Sequence, residues 1–123
     1  MTENAIAKEI VDAAYHVHTT LGPGLLESVY EAALARELEK RGLRAARQQA
    51  VPVLDMAIGF RADLMVEDKV IVEIKSVGEI SLVHKKQLLT YLRLADKCLG
   101  LLINFNVALI KHGITRIVNG LPE

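Results

Sequence analysis

With 123 residues, 51% of them apolar, the chain can bury a core without disulfides or a structural metal, and it is short for two domains. Fifteen basic and fifteen acidic side chains cancel, which argues against a grip on nucleic acid by bulk charge. Aromatic residues at 4%, with no tryptophan, argue against base stacking as the main mode of binding.

Apolar residues at Ile6, Ile10, Ala13, Ala14, Val17 and Leu21 recur at helical spacing and predict a first helix over Ala5–Leu21 with one buried stripe. His16 and His18 stand two apart, a spacing that does not converge two ligands on a helix, so surface or packing roles are expected. Leu21-Gly22-Pro23-Gly24 breaks the chain, and a second helix runs from Leu25 to Arg41, closed by Gly42 as a left-handed cap. Glu27 falls in its first turn, where a carboxylate favours the helix dipole and free amides. Tyr30 lies one turn further on and is expected half-buried, its hydroxyl at the surface. Residues 43–54 read as an edge strand, where Pro52 is tolerated. Lys40, Arg41, Arg44 and Arg47 make the densest basic cluster, either a solvated helix end or a phosphate-binding patch.

The stretch Gly59–Ser76, GFRADLMVEDKVIVEIKS, carries two apolar runs, Ala62–Val66 and Val70–Ile74, around Glu67-Asp68-Lys69. That pattern predicts a hairpin. Glu73 and Lys75, two apart, share a face, and a three-residue loop pairing Val66 with Val70 brings Asp63 opposite Glu73. Such charges within apolar strands are costly unless paired or bound to metal, and two neighbouring carboxylates call for a divalent cation. A nearby ammonium can orient water or stabilise charge on a phosphate. Ser81 is a suitable N-cap for a helix to Ala95, with Leu82, Val83, Leu88, Leu89, Leu92 and Leu94 as its buried surface. Gln87 and Tyr91 share a face of that helix, with His84 one turn before Gln87. Lys97–Asn104 reads as a buried strand in the middle of a mixed sheet, with Cys98 as a packing residue at its start. A last hairpin is expected through His112-Gly113. The order of elements is α+β: a mixed sheet flanked by helices, in a single domain over residues 1–123.

Asp63, Glu73 and Lys75 at this spacing resemble the PD-(D/E)XK nuclease signature, with Ala62 in place of its proline. Gly24-Leu25-Leu26-Glu27-Ser28-Val29-Tyr30 is similar to the GxxExxY motif of one branch of that superfamily. The flanking LGPGLLESVYEAAL, GFRADL, VIVEIKS, QLLTYL and GLLINFNV extend the resemblance over nearly the whole chain. The resemblance implies a restriction-endonuclease-like core and a metal-dependent phosphodiesterase acting on nucleic acid, DNA foremost. By the same resemblance Asp63, Glu73 and the Ile74 carbonyl would bind Mg²⁺ or Mn²⁺, and Lys75 would position water. Glu27 would reach the metal from the helix, and Gln87, Tyr91, Tyr30 and His84 would face substrate. Relatives carry a longer hairpin before GFRADL, so the first hairpin is expected to be short here, with only Leu54–Ile58 standing in for it.

Two rivals stand beside this reading. One is a nucleic-acid-binding or protein-interaction module that keeps the fold without cleaving, and the other is a structural ion-pair cluster. A cytoplasmic location is expected, since the N-terminus does not read as a secretory signal and no apolar run reaches the length of a membrane span. A homodimer is compatible with the sequence.

Overall fold

In the computed structural model, which describes residues 1–122, the Thr2 hydroxyl opens helix α1 (Glu3–Leu21) by accepting from the Ala5 N–H at 3.2 Å. Ile6, Ile10, Ala13, Ala14 and Val17 form its buried stripe, as their spacing predicts, whereas Leu21 at its end is exposed. His18 belongs to that stripe, and its Nε2 donates to the Val107 carbonyl at 2.8 Å, whereas His16 stays exposed. Helix α2 (Glu27–Lys40) buries Tyr30, Leu34 and Leu38 and ends at Gly42, whose φ of 84° is the expected left-handed cap. The Leu43 N–H closes that cap on the Leu38 carbonyl at 3.0 Å.

Five strands form one sheet in sequential order: β1 (Ala45–Val53), β2 (Met56–Val66), β3 (Val70–Lys75), β4 (Leu99–Asn104) and β5 (Ile114–Val118). All neighbours are antiparallel except β3 and β4, which are joined through α3 (Leu82–Ala95). The outcome is the mixed, helix-flanked α+β sheet expected from the order of elements. Helices α1 and α2 cover one face, where Leu64, Val66, Val72, Ile74, Leu101 and Ile103 point. The other face receives α3 on Met65, Ile71 and Leu102. There the helix lies so close that a Cβ on Gly100 would come within 3.0 Å of the Leu88 side chain.

The connection ahead of GFRADL is short, as expected: Leu54 and Asp55, both left-handed at φ 52° and 58°, make a tight turn, and Val53 pairs with Met56. Two other expectations fail. The last hairpin through His112-Gly113 does not exist. Ile110–His112 is a turn of 3₁₀ helix, held by the Gly113 N–H on the Ile110 carbonyl at 2.8 Å, and β5 returns against β4 instead. Finally, α3 buries only Leu88 and Leu92 fully. Leu82 and Val83, in its first turn, are 64% and 70% exposed. Cys98 is half-buried just before β4.

Candidate active site

The β2–β3 turn has the predicted register, with Val66 opposite Val70, and Glu67 and Asp68 both left-handed at φ 52° and 54°. Glu67 is held there by the Arg44 backbone and guanidinium, its Oε2 accepting from Arg44 N at 2.9 Å and from Arg44 Nε at 3.4 Å. The ladder runs through Met65 and Ile71 to Leu64 and Val72, and there the strands part. One step further on, a side chain replaces the missing rung: Asp63 Oδ2 accepts from the Ile74 backbone N–H at 2.8 Å. Asp63 therefore sits in the split between the strands.

Glu73 follows Ile71 by two residues and points to the α3 side. It is only 7% exposed, and its carboxyl meets that of Asp63. Burial first, then the Asp63 charge, push the Glu73 carboxyl up to about 9, while Lys75 pulls the other way. Glu73 Oε1 is buried and has no hydrogen-bond partner among the described residues. An orphaned carboxylate oxygen beside a second carboxylate suits a hard divalent cation in its donor chemistry. Among the described residues no three His, Cys, Asp or Glu side chains gather as a ready-made metal cage, so the fit rests on this pair and on backbone oxygen.

The residues after Glu73 are fastened from two sides. Lys75 ends β3 half-buried, and among the described residues its ammonium is in no ion pair. Its carbonyl accepts from the Phe105 N–H at 3.0 Å. Buried Asn104 receives the Val77 N–H at 3.1 Å and donates to the Val77 carbonyl at 3.0 Å. From the helix side, the Ser76 hydroxyl donates to the Leu25 carbonyl at 2.6 Å, and the Ser76 N–H reaches Glu27 Oε1 at 3.3 Å. Glu27, the first residue of α2, is exposed there. A cleft of about 730 Å³ opens between the start of α2 and the sheet, walled by Glu27, Glu31, Arg47, Gln48, Asp63 and Ser76.

Tyr30 is not in that cleft. It is fully buried and stacked on Phe105, ring centroids 4.5 Å apart, so the expectation of a half-buried ring facing substrate fails. Its hydroxyl donates to the Gly22 carbonyl at 2.6 Å and accepts from the Leu25 N–H at 3.1 Å. The ring thereby fixes the loop through Gly24, where a φ of 94° requires glycine, and so sets where Glu27 begins the helix. His84 is likewise occupied: its Nδ1 accepts from the Ser81 N–H at 3.1 Å while the Ser81 hydroxyl caps the His84 N–H. Tyr91 does approach the site. It stacks on Phe60 at 3.7 Å, and its pKa is raised by burial and by the charges of Glu73 and Asp63. Gln87, one turn earlier, is exposed.

Sequence reasoning missed Glu31, Gln48, Ser76 and Asn104, whose partners are distant in the chain. The basic cluster is mostly spent on carboxylates: Arg41 on Glu37 at 2.9 Å, Arg44 on Glu67 at 3.4 Å and Arg47 on Glu31 at 3.1 Å.

With this geometry in hand, comparison with known proteins decides the family: a sequence profile described as the PD-(D/E)XK nuclease superfamily matches residues 4–117. The chain belongs to the PD-(D/E)XK nuclease superfamily. Neither the curated proteins nor the solved structures offer a match to it. At the level of the family, the match points to nuclease activity. No helix among the described residues is long and apolar enough to cross a membrane.

Proposed function

We propose that this superfamily member, of the GxxExxY branch, is a divalent-cation-dependent phosphodiesterase that hydrolyses nucleic acid, DNA foremost. The contact between the Asp63 and Glu73 carboxylates, with Glu73 Oε1 buried and unpartnered, carries this reading. Asp63, Glu73 and the Ile74 carbonyl would hold Mg²⁺ or Mn²⁺. The bound ion would lower the pKa of its water and offset charge on the scissile phosphate.

The chain's own residues supply the rest. Lys75, held by its strand beside Glu73, stabilises negative charge developing on the phosphate. Glu27 lines the same cleft as Asp63, from the helix side, and there would accept protons or orient water. Tyr91, and Gln87 one turn before it, offer polar groups to substrate from the α3 side. Turnover of labelled DNA and RNA, single-stranded and duplex, tests the reading. Cleavage should require Mn²⁺ or Mg²⁺, stop in EDTA and be lost in Asp63→Asn. Cation-independent cleavage, or cleavage that survives Asp63→Asn, would count against it.

The exposed Leu82 and Val83 favour one alternative, a protein-interaction module that keeps the fold. Such a module would bind cation without cleaving any substrate of the panel.

A further inference from the structure

Gln48 lies in the middle of β1, yet its φ is 52°. Arg47 pairs with Leu64 and Gln49 with Ala62, but the rung between them, Gln48 against Asp63, is missing. The partner strand is irregular at the same place: Ala62 packs on the α3 face with Met65, while Leu64 packs on the other. A left-handed residue without glycine is strained, and glycine would make this bend more easily. The glutamine side chain supplies a reason. Its Nε2 donates to Glu31 Oε1 at 2.6 Å and to Asp63 Oδ1 at 3.2 Å. Both partners are acceptors, which fixes the amide orientation. Glu31, only 6% exposed, is in turn held by Arg47 Nε through its other oxygen at 3.1 Å.

We propose that Gln48 is a positioning residue for the candidate site: backed by Glu31, its amide holds the Asp63 carboxylate in the split between β2 and β3, turned toward Glu73 for cation binding. The inference rests on reading Asp63 and Glu73 as cation ligands. Asp63 then has one oxygen on the Ile74 N–H and the other on Gln48, both neutral donors. An arginine at position 48 would hold the carboxylate as firmly but would bring a positive charge that repels a cation. A glutamine orients the ligand and leaves its charge available.

Gln48→Gly tests this, because glycine accepts the left-handed backbone while removing the amide. The variant should melt no lower than wild type. In the protein without metal, the Ile74 amide should exchange with solvent about tenfold faster, because the carboxylate that protects it is no longer held. Mn²⁺ affinity by calorimetry should fall about tenfold, the lower end of the range for residues that orient ligands. Glu31→Gln should add little further loss on top of Gln48→Gly, since both act through one amide. Wild-type Ile74 protection together with wild-type Mn²⁺ affinity in Gln48→Gly would overturn the proposal. If wild type binds no Mn²⁺ but Ile74 exchange still rises in the variant, the positioning role stands and the cation reading falls.

Discussion

A carboxyl group buried against another carboxylate can lower its energy by keeping a proton or by taking a cation. Glu73 without metal keeps the proton, since burial and Asp63 push it up to about 9. A raised carboxyl pKa means the native state binds the proton more tightly than the unfolded chain does. Its stabilising effect is complete below the ordinary value of 4.5 and is lost as pH climbs to about 9. In EDTA, wild-type stability should therefore decline between those limits, with a slope from this group approaching about 1.4 kcal/mol per pH unit. Glu73→Gln carries no titrating group and should remove that slope, leaving the variant the more stable of the two at pH 8. Urea unfolding at pH 5, 6.5 and 8 measures the difference, and parallel slopes would show that Glu73 is already ionised without metal. The approach of Asp63 to Glu73 was legible in the sequence through strand period and loop length, although the ladder stops at Leu64 and Val72, one rung short of them. Gln48 and Glu31 were not. One depends on a left-handed residue inside a strand, the other on a helix face meeting β1, and neither leaves a short-range pattern.

Among the elements, the segment from Gly22 to Tyr30 is where motif and architecture meet. The motif tyrosine is a strut for the loop, and its hydroxyl bonds to Gly22 and Leu25 place Glu27 over the Ser76 amide. Tyr30→Phe keeps the stacking on Phe105 and removes both bonds, at about 1–2 kcal/mol of stability. Turnover should fall further than stability alone explains, because Glu27 loses its fixed starting point; full activity at a lowered melting temperature would make the tyrosine structural only. The β2–β3 turn gives a second test. Asp68 is left-handed at φ 54°, and among the described residues its carboxylate makes only an exposed contact with Lys97 at 3.4 Å. Lys97 Nζ also binds the Asp68 carbonyl at 2.8 Å, a bond that glycine would keep. Asp68→Gly should thus stabilise the protein by about 0.5–1 kcal/mol in thermal unfolding. Periodicity alone also misjudged α3. Leu82 and Val83 fit the apolar pattern, yet both stay exposed at the start of the helix.

At the scale of the whole molecule, helices α1 and α2 pack one face, α3 packs the other, and the split between β2 and β3 lies between them. Element order and apolar period made this α+β plan readable. The course of the last connection was hidden, because it turns on a single 3₁₀ turn at Ile110–His112. The plan has an energetic consequence. The core can carry one badly placed carboxyl pair, and relieving that pair should be felt by the whole fold rather than by the site alone. If Asp63 and Glu73 bind a cation only in the native state, saturating Mn²⁺ stabilises the protein by mass action, about 2.7 kcal/mol at a hundredfold excess over Kd. Wild type should then melt several degrees higher in Mn²⁺ than in EDTA. Glu73→Gln, which lacks one of the two carboxylate ligands, should melt at nearly one temperature in both, as should Asp63→Asn. Lys75→Met keeps both carboxylates and removes the neighbouring ammonium, so it should retain the Mn²⁺ shift, or enlarge it, while losing turnover. A Mn²⁺ shift of equal size in wild type and Glu73→Gln would locate the cation elsewhere on the molecule, and the carboxylate pair would then be a proton-sharing contact alone.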